Sequence, residues 1–99
     1  MAGRVSFIEI KRRVCREFRA PLRCMTSNGR WPSFARPRMT AMYLARRHTR
    51  LTLSTIGRLC GGRDHSTVIN ALRRIEELRD ADQDLDGMIR AVERELEAA

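Results

Sequence analysis

Lysine is almost missing from this chain, and so are aromatic rings, paired cysteines and any long apolar run. Of its 20 basic side chains only Lys11 is a lysine; the rest are arginines, whose planar fork suits phosphate oxygens and guanine edges. Five aromatics among 99 residues, against a hydrophobic share of 42%, predict an aliphatic, helical interior. No run of eighteen apolar residues occurs, which excludes a membrane-spanning helix. Arg4 is not followed by an apolar stretch of the secretory kind, so a cytoplasmic protein is expected. Cys15, Cys24 and Cys60 are odd in number, form no C-x-x-C, and sit at no metal-ligand spacing with His48 or His65. Cys15 and Cys60 fall at apolar helix positions and are expected to pack.

The residues of catalysis are missing as well. No G-x-x-x-x-G-K-[ST] loop is present, and no paired carboxylates mark a pocket. Gly61-Gly62-Arg63 lacks the following lysine and the preceding strand of a phosphate cradle. Asp64-His65-Ser66 has the residue types of a catalytic triad, but adjacent residues cannot adopt its spatial arrangement. No enzyme activity, no cofactor and no metal are expected.

Charge, by contrast, is abundant and unevenly placed. Residues 1–74 hold 17 basic and 3 acidic side chains, a net +14, whereas residues 75–99 hold 3 basic and 9 acidic ones, a net −6. Ninety-nine residues make one domain, 1–99, large enough for a small core. Its positive block is the footprint expected of a protein that meets phosphate.

That block surrounds the most informative stretch, Ile56 to Ile75. Gly61 and Gly62 are suited to end one short helix, because glycine accepts the positive φ that a helix C-terminus often needs. Asp64 then caps the next, its carboxylate accepting from the N–H of Ser66 or Thr67. Two helices joined by so tight a turn predict a helix-turn-helix over about 53–78. At about 100° per residue, Val68, Ala71, Leu72 and Ile75 gather on one side of the second helix, and Ser66, Asn70, Arg73 and Arg74 on the other. A helix that enters the major groove needs this division between apolar back and hydrogen-bonding front. An ordinary solvated helix face is the alternative.

Around this centre the elements read in order. Ser6 and Glu9 fit a capping box ahead of a helix to about Arg19, with Phe7, Ile10, Val14 and Phe18 inward and Lys11, Arg12, Arg13, Arg16 and Arg19 outward. Pro21 breaks it, and Leu22 to Met25 predicts a single turn with Leu22 and Met25 touching the core. Thr26 to Pro32 is a polar loop. Ser33 is suited to cap a helix to about His48, with Pro37 in its first turns, Met39, Met42, Tyr43, Leu44 and Ala45 buried, and Arg36, Arg38, Arg46 and Arg47 polar. His48 has no partner at useful spacing. Thr52 or Ser54 starts the first helix of the helix-turn-helix, burying Leu53, Ile56 and Leu59. Asp80 to Asp84 breaks the long helix that follows, and Leu85, Met88, Ile89, Val92 and Leu96 mark a final amphipathic, acidic helix at about 84–97, with Asp86 and Arg90 an i,i+4 pair.

Gly61-Gly62-Arg63-Asp64-His65-Ser66-Thr67-Val68, preceded by Ile56-Gly57, resembles the signature of the C-terminal DNA-binding domain of the bacterial replication initiator DnaA. Ala35-Arg36-Pro37-Arg38 and Ala41-Met42-Tyr43-Leu44-Ala45 resemble the segment before it, and the similarity runs from about Phe7 to Ile75. The resemblance implies an all-α domain of five to six helices, Trp-repressor-like in its helix-turn-helix, that binds double-stranded DNA at DnaA-box-like sites of the TTATCCACA type. It implies Arg63, Asp64, His65, Ser66 and Thr67 at the major groove, Arg30 in the minor groove, and Arg36, Arg38, Arg46 and Ser54 on phosphates. Trp31, Pro32 and Cys60 depart from the family pattern. The Met1-Ala-Gly start and the missing ATPase module lead us to expect a stand-alone, nucleoid-associated regulator of replication initiation or transcription. Two alternatives stand beside it: an interaction module that docks a replication initiator or other protein through the acidic last helix, and a fragment of a longer initiator.

Overall fold

A computed structural model describes residues 5–27 and 32–98; the expectations for Arg30 and Trp31 fall outside them. In order come α1 (Phe7–Phe18), a 3₁₀ turn (Leu22–Met25), α2 (Pro32–His48), α3 (Leu53–Leu59), α4 (His65–Ala81) and α5 (Gln83–Ala98). No strand occurs among the described residues, and none of their helices is long and apolar enough to cross a membrane. The fold is all-α, as the sequence predicts.

Helix α2 is the centre. It packs against α1, α3 and α4, which it can do because Ala41 and Ala45 are small and Met42 and Leu44 fill the remaining space, all of them buried. Its start differs from expectation. The helix begins at Pro32, so Ser33 lies inside it and does not cap it. Pro37 therefore sits in the second turn, where its absent N–H leaves the carbonyl four residues back unpaired within the helix. That residue is Ser33, which is exposed, so water can take the place of the missing donor.

Helix α1 starts as predicted, with the Glu9 N–H donating to Ser6 Oγ at 3.2 Å. The Glu9 carboxylate does not complete the box; it accepts from Arg13 at 3.1 Å. Phe7, Ile10 and Val14 are buried, and the helix ends on Arg19 in the left-handed region, φ 53°. In the 3₁₀ turn the inward residues are Cys24 and Met25, while Leu22 is 49% exposed. A single turn presents only part of its circumference to the core, and Cys24 takes the place predicted for Leu22. Its Sγ stands 3.8 Å from that of Cys15. Burial pushes the thiols of Cys15 and Cys60 up, to about 12 and about 11, so both stay protonated and pack as apolar groups.

The acidic last helix proves to be a lock on the rest of the domain. Leu85, Ile89, Val92 and Leu96 are buried where α5 lies on α1 and α4. Glu95 accepts from Arg13 at 3.0 Å and Arg16 at 3.1 Å. Glu93 meets His48 at 2.8 Å and Arg47 at 3.1 Å, so His48 has a partner after all, one that lies 45 residues away and beyond the reach of local spacing. Burial works to raise the Glu93 carboxyl, yet the hydrogen bonds from His48 and Arg47 outweigh it and hold the group below its ordinary range. Asp86 pairs with Arg90 as predicted, at 2.9 Å, but also with Arg79 at 2.5 Å. The break between α4 and α5 is narrower than the predicted 80–84: Asp82 alone interrupts the helices, and its carboxylate caps α5 by accepting from the Leu85 N–H at 3.1 Å.

The helix-turn-helix depends on three glycines. Gly57 lies within α3, and a Cβ there would stand 2.0 Å from the Arg63 carbonyl oxygen. The Arg63 N–H donates back to the Gly57 carbonyl at 2.9 Å, so α3 and the start of α4 meet backbone to backbone. Gly61 and Gly62 take φ of 87° and 76°, as the turn requires. Thr52 rather than Ser54 caps α3, accepting from the Thr55 N–H at 3.1 Å. Ile56 is buried, but Leu59 is 41% exposed; the helix stops there before completing a second turn of core contact.

Gly57→Ala should accordingly destabilise the domain by about 1–3 kcal/mol or more, the usual cost of overpacking, lowering Tm by at least roughly 4 °C. Gly87→Ala, with nothing within 4 Å of an added Cβ, should be neutral or stabilising. Thermal melts followed by circular dichroism check the pair; equal melts would mean that the close approach at Gly57 does not constrain the turn.

Candidate nucleic-acid interface

The first turn of α4 is built around one carboxylate. Asp64 is extended, and its Oδ1 accepts from the Thr67 N–H at 3.0 Å and from the Ser66 hydroxyl at 2.8 Å. The first bond satisfies a helix-terminal donor; the second fixes the rotamer of a neighbouring side chain. Thr67's N–H, then Ser66's hydroxyl, hold the Asp64 carboxyl below the usual carboxylate range, with His65 nearby acting in the same direction. Asp64, His65, Ser66 and Thr67 are all exposed. The back of the helix, Val68, Ala71, Ile75 and Leu78, is buried, so the face carrying these four groups is turned outward by packing rather than by choice of rotamer.

The arginines divide less simply. Arg36 and Arg46 are exposed: Arg46 reaches the Leu51 carbonyl at 3.2 Å, beside the start of α3, where Ser54 is exposed in the first turn. Arg36 instead lies toward the far end of α4, its Nη1 3.4 Å from Asp82. Arg38 requires a correction. Expected on the polar face, it is 7% exposed, because its position on α2 faces the 3₁₀ turn rather than solvent. Its guanidinium donates to the carbonyls of Cys24 at 2.9 Å and Ser27 at 3.0 Å. Burial, and then the neighbouring Arg63, lower its pKa. Arg63 is half-buried and folded back on its own turn, donating to the carbonyls of Cys60 and of Ser27, the latter at 2.7 Å.

Between α2 and α4 runs a groove of about 370 Å³ floored by Met39, Met42 and Ala71 and rimmed by Arg38, Arg63, Thr67, Asn70 and Arg74. Asn70, Arg73 and Arg74 extend the outward face of α4 by two turns and are exposed. Their signal was visible as spacing, Asn70 standing four residues after Ser66 and Arg73 and Arg74 three and four after Asn70, although no motif singles them out. The groove itself had no signal, since it depends on how two helices distant in sequence lie together. Among the described residues no cluster of side chains could hold a metal ion. The carboxylates Asp86, Glu93 and Glu95 of α5 are engaged by arginines of this same chain, which leaves that helix less acidic toward the outside than its sequence suggests.

Asp64 also gives the domain a pH dependence of known sign. Its folded-state pKa lies below the unfolded value, so the stabilisation is complete above the unfolded pKa and is lost as pH falls through the folded one. Asp64→Asn keeps a capping oxygen without the titration. It should flatten that part of the decline in Tm on acidification below about pH 5 which Asp64 contributes; parallel Tm–pH curves for the two proteins would show that the cap is not linked to stability.

Residues 8–75 match the family described as bacterial dnaA protein helix-turn-helix. A chromosomal replication initiator protein DnaA from Sphingopyxis alaskensis is 48% identical over 93 residues, covering 94% of this chain and 20% of the relative. Its counterpart from Zymomonas mobilis is 45% identical over 94 residues, covering 95% of the chain and 19% of the relative; that from Thermus thermophilus is 40% identical over 85 residues. The chain thus spans about a fifth of the length of the curated relatives it matches. With the capped α4, the glycine turn and the matched residues in agreement, the chain belongs to the bacterial DnaA helix-turn-helix family.

Proposed function

We propose that this chain binds double-stranded DNA at DnaA-box-like sites by laying α4 in the major groove, and that it acts in replication initiation or its regulation. The observation that supports this best is the first turn of α4, where an anchored carboxylate, an imidazole and two hydroxyls project together from a helix whose opposite side is buried. Major-groove edges offer amino donors, carbonyl and ring-nitrogen acceptors and the thymine methyl. Asp64 can accept from a cytosine or adenine amino group through the carboxylate oxygen its cap leaves unused. His65, Ser66 and Thr67 reach neighbouring bases or phosphates. Arg46 and Ser54, near the N-terminus of α3, hold a phosphate; Arg36 holds another farther along the groove. Arg63 leaves its internal carbonyls for the DNA when a stronger, anionic acceptor is at hand. Arg30 enters the minor groove, where narrow A·T-rich tracts carry enhanced negative potential. The site of action is then the nucleoid.

Arginine-rich contacts of this kind release counterions. With about six basic side chains on phosphates, affinity for a box-containing duplex should fall roughly a thousandfold between about 50 and about 200 mM salt. A mobility-shift titration on this chain checks it, paired with selection from random duplexes to establish the site. A flat salt response, or selection of no common sequence, would overturn the proposal.

Ser66 offers a finer test. Its hydroxyl is engaged with Asp64, and threonine keeps that bond while adding a methyl able to touch a thymine C5-methyl. Ser66→Thr should raise the preference for thymine at a single position of the site and leave the other positions unchanged; an identical base-substitution profile would mean that residue 66 does not face a base.

A further inference from the structure

Ser27 is the last described residue before the chain enters residues 28–31, and its carbonyl oxygen is held twice. Arg38 donates to it from α2 at 3.0 Å and Arg63 from the helix-turn-helix at 2.7 Å. Each guanidinium also holds a second carbonyl: Arg38 that of Cys24 in the 3₁₀ turn, at 2.9 Å, and Arg63 that of Cys60 just after α3. Two like charges thus converge on one neutral acceptor. Mutual repulsion opposes such an arrangement, and Arg38 is additionally desolvated; the shared oxygen and the two further carbonyls offset this. The approach is close enough to involve the glycine turn, since a Cβ on Gly61 would lie 2.6 Å from Arg63 Nη1 and 3.0 Å from the Thr26 carbonyl oxygen.

We propose that Arg38 and Arg63 form a clamp on the Ser27 carbonyl that sets where the chain leaves for residues 28–31 relative to the reading helix α4, and that Arg38 is a positioning residue rather than a phosphate contact. The inference rests on the DNA-binding reading above. Arg38 is 7% exposed and its Nη1 is committed to both carbonyls, so little of its side chain is open to a phosphate. Its two acceptors lie in the 3₁₀ turn and just after it, not in α2, so it holds one segment of backbone to another. Arg63 is the movable jaw: half-buried, on the surface of α4's entry, and able to exchange a carbonyl for DNA. While Arg38 keeps its grip, the Ser27 carbonyl stays in place even when Arg63 lets go.

Counterion release separates the two roles, because only a phosphate contact enters the salt slope. Arg38→Met keeps an unbranched apolar stem and removes the donors. It should weaken binding to a box duplex by about tenfold or more, leave the slope of log affinity against log salt unchanged, and lose base discrimination at one end of the site only. Arg36→Ala, by comparison, should lower the slope by about 0.9 and weaken all sequences alike. A fall of about one unit in the Arg38→Met slope would make Arg38 a direct contact and overturn the proposal. Uniform weakening on every sequence, or no weakening, would overturn it too, the first by showing a merely structural role. Should Arg38→Met fail to fold by circular dichroism, Arg38→Lys, whose side chain ends one atom short of Nη1, the atom that holds both carbonyls, is measured in the same way. A readout without DNA keeps the clamp testable even if the wild-type chain binds no duplex: Trp31 is the sole tryptophan, four residues past Ser27. Its emission and anisotropy should change in Arg38→Met and Arg38→Lys but not in Arg36→Ala; unchanged Trp31 signals in the first two would overturn the clamp.

Discussion

The closest constraint in the molecule is the backbone meeting at Gly57. The peptide of Arg63 lies against the α3 backbone with no room for a Cβ between them, and the Arg63 N–H closes onto the Gly57 carbonyl. From that contact follow the angle between α3 and α4, the direction in which Asp64 leaves the turn, and the burial of Val68, Ala71 and Ile75 that turns the other side of α4 outward. A hydrophobic core alone would hold the two helices together over a range of angles. The hydrogen bond and the steric limit select one.

Electrostatics then shape what the core leaves undecided. A chain with so many arginines repels itself, and α5 answers this from within: Glu95 joins α1, Glu93 joins the end of α2, and Asp86 joins α4. The arginines engaged there belong to α1, the end of α2 and the last turns of α4, while Arg46, Arg73 and Arg74 remain exposed. The last helix thus neutralises part of the basic block and leaves other arginines of α2 and α4 open, which suits a surface that meets phosphate.

Much of this was legible in the sequence, because local physics produced it. The Asp64 cap, the positive-φ glycines, the Ser6 cap and the inward stripes of α1, α4 and α5 follow from spacing and residue type. What escaped was non-local. His48 was without a partner until α5 returned with Glu93. Arg38 read as a surface cation because arginine at an isolated helical position usually is one; its acceptors are backbone carbonyls, which carry no residue-specific signature. Leu22 and Leu59 were expected inside because leucine prefers to be, yet each stands in an element too short to bury every apolar residue. The start of α2 slipped by two residues because proline at the first helical position competed with serine as a cap, and proline won. Family membership was carried by the densest run of constrained residues, from Gly61 to Val68, where turn, cap and outward face coincide.

The double engagement of Asp64 has an evolutionary consequence. Its Oδ1 both starts α4 and tethers Ser66, so under the proposed reading any base met here is met by a residue that also caps a helix. Only a few side chains cap well: aspartate, asparagine, serine and threonine. On that reading, change of specificity at residue 64 is confined to that short alphabet, each member differing in which base edges it can address. His65, the first residue of α4, whose side chain makes no cap, is under no such restriction. A lineage seeking new sites would be expected to drift first where the fold is indifferent, and to keep the capping letter as its fixed point.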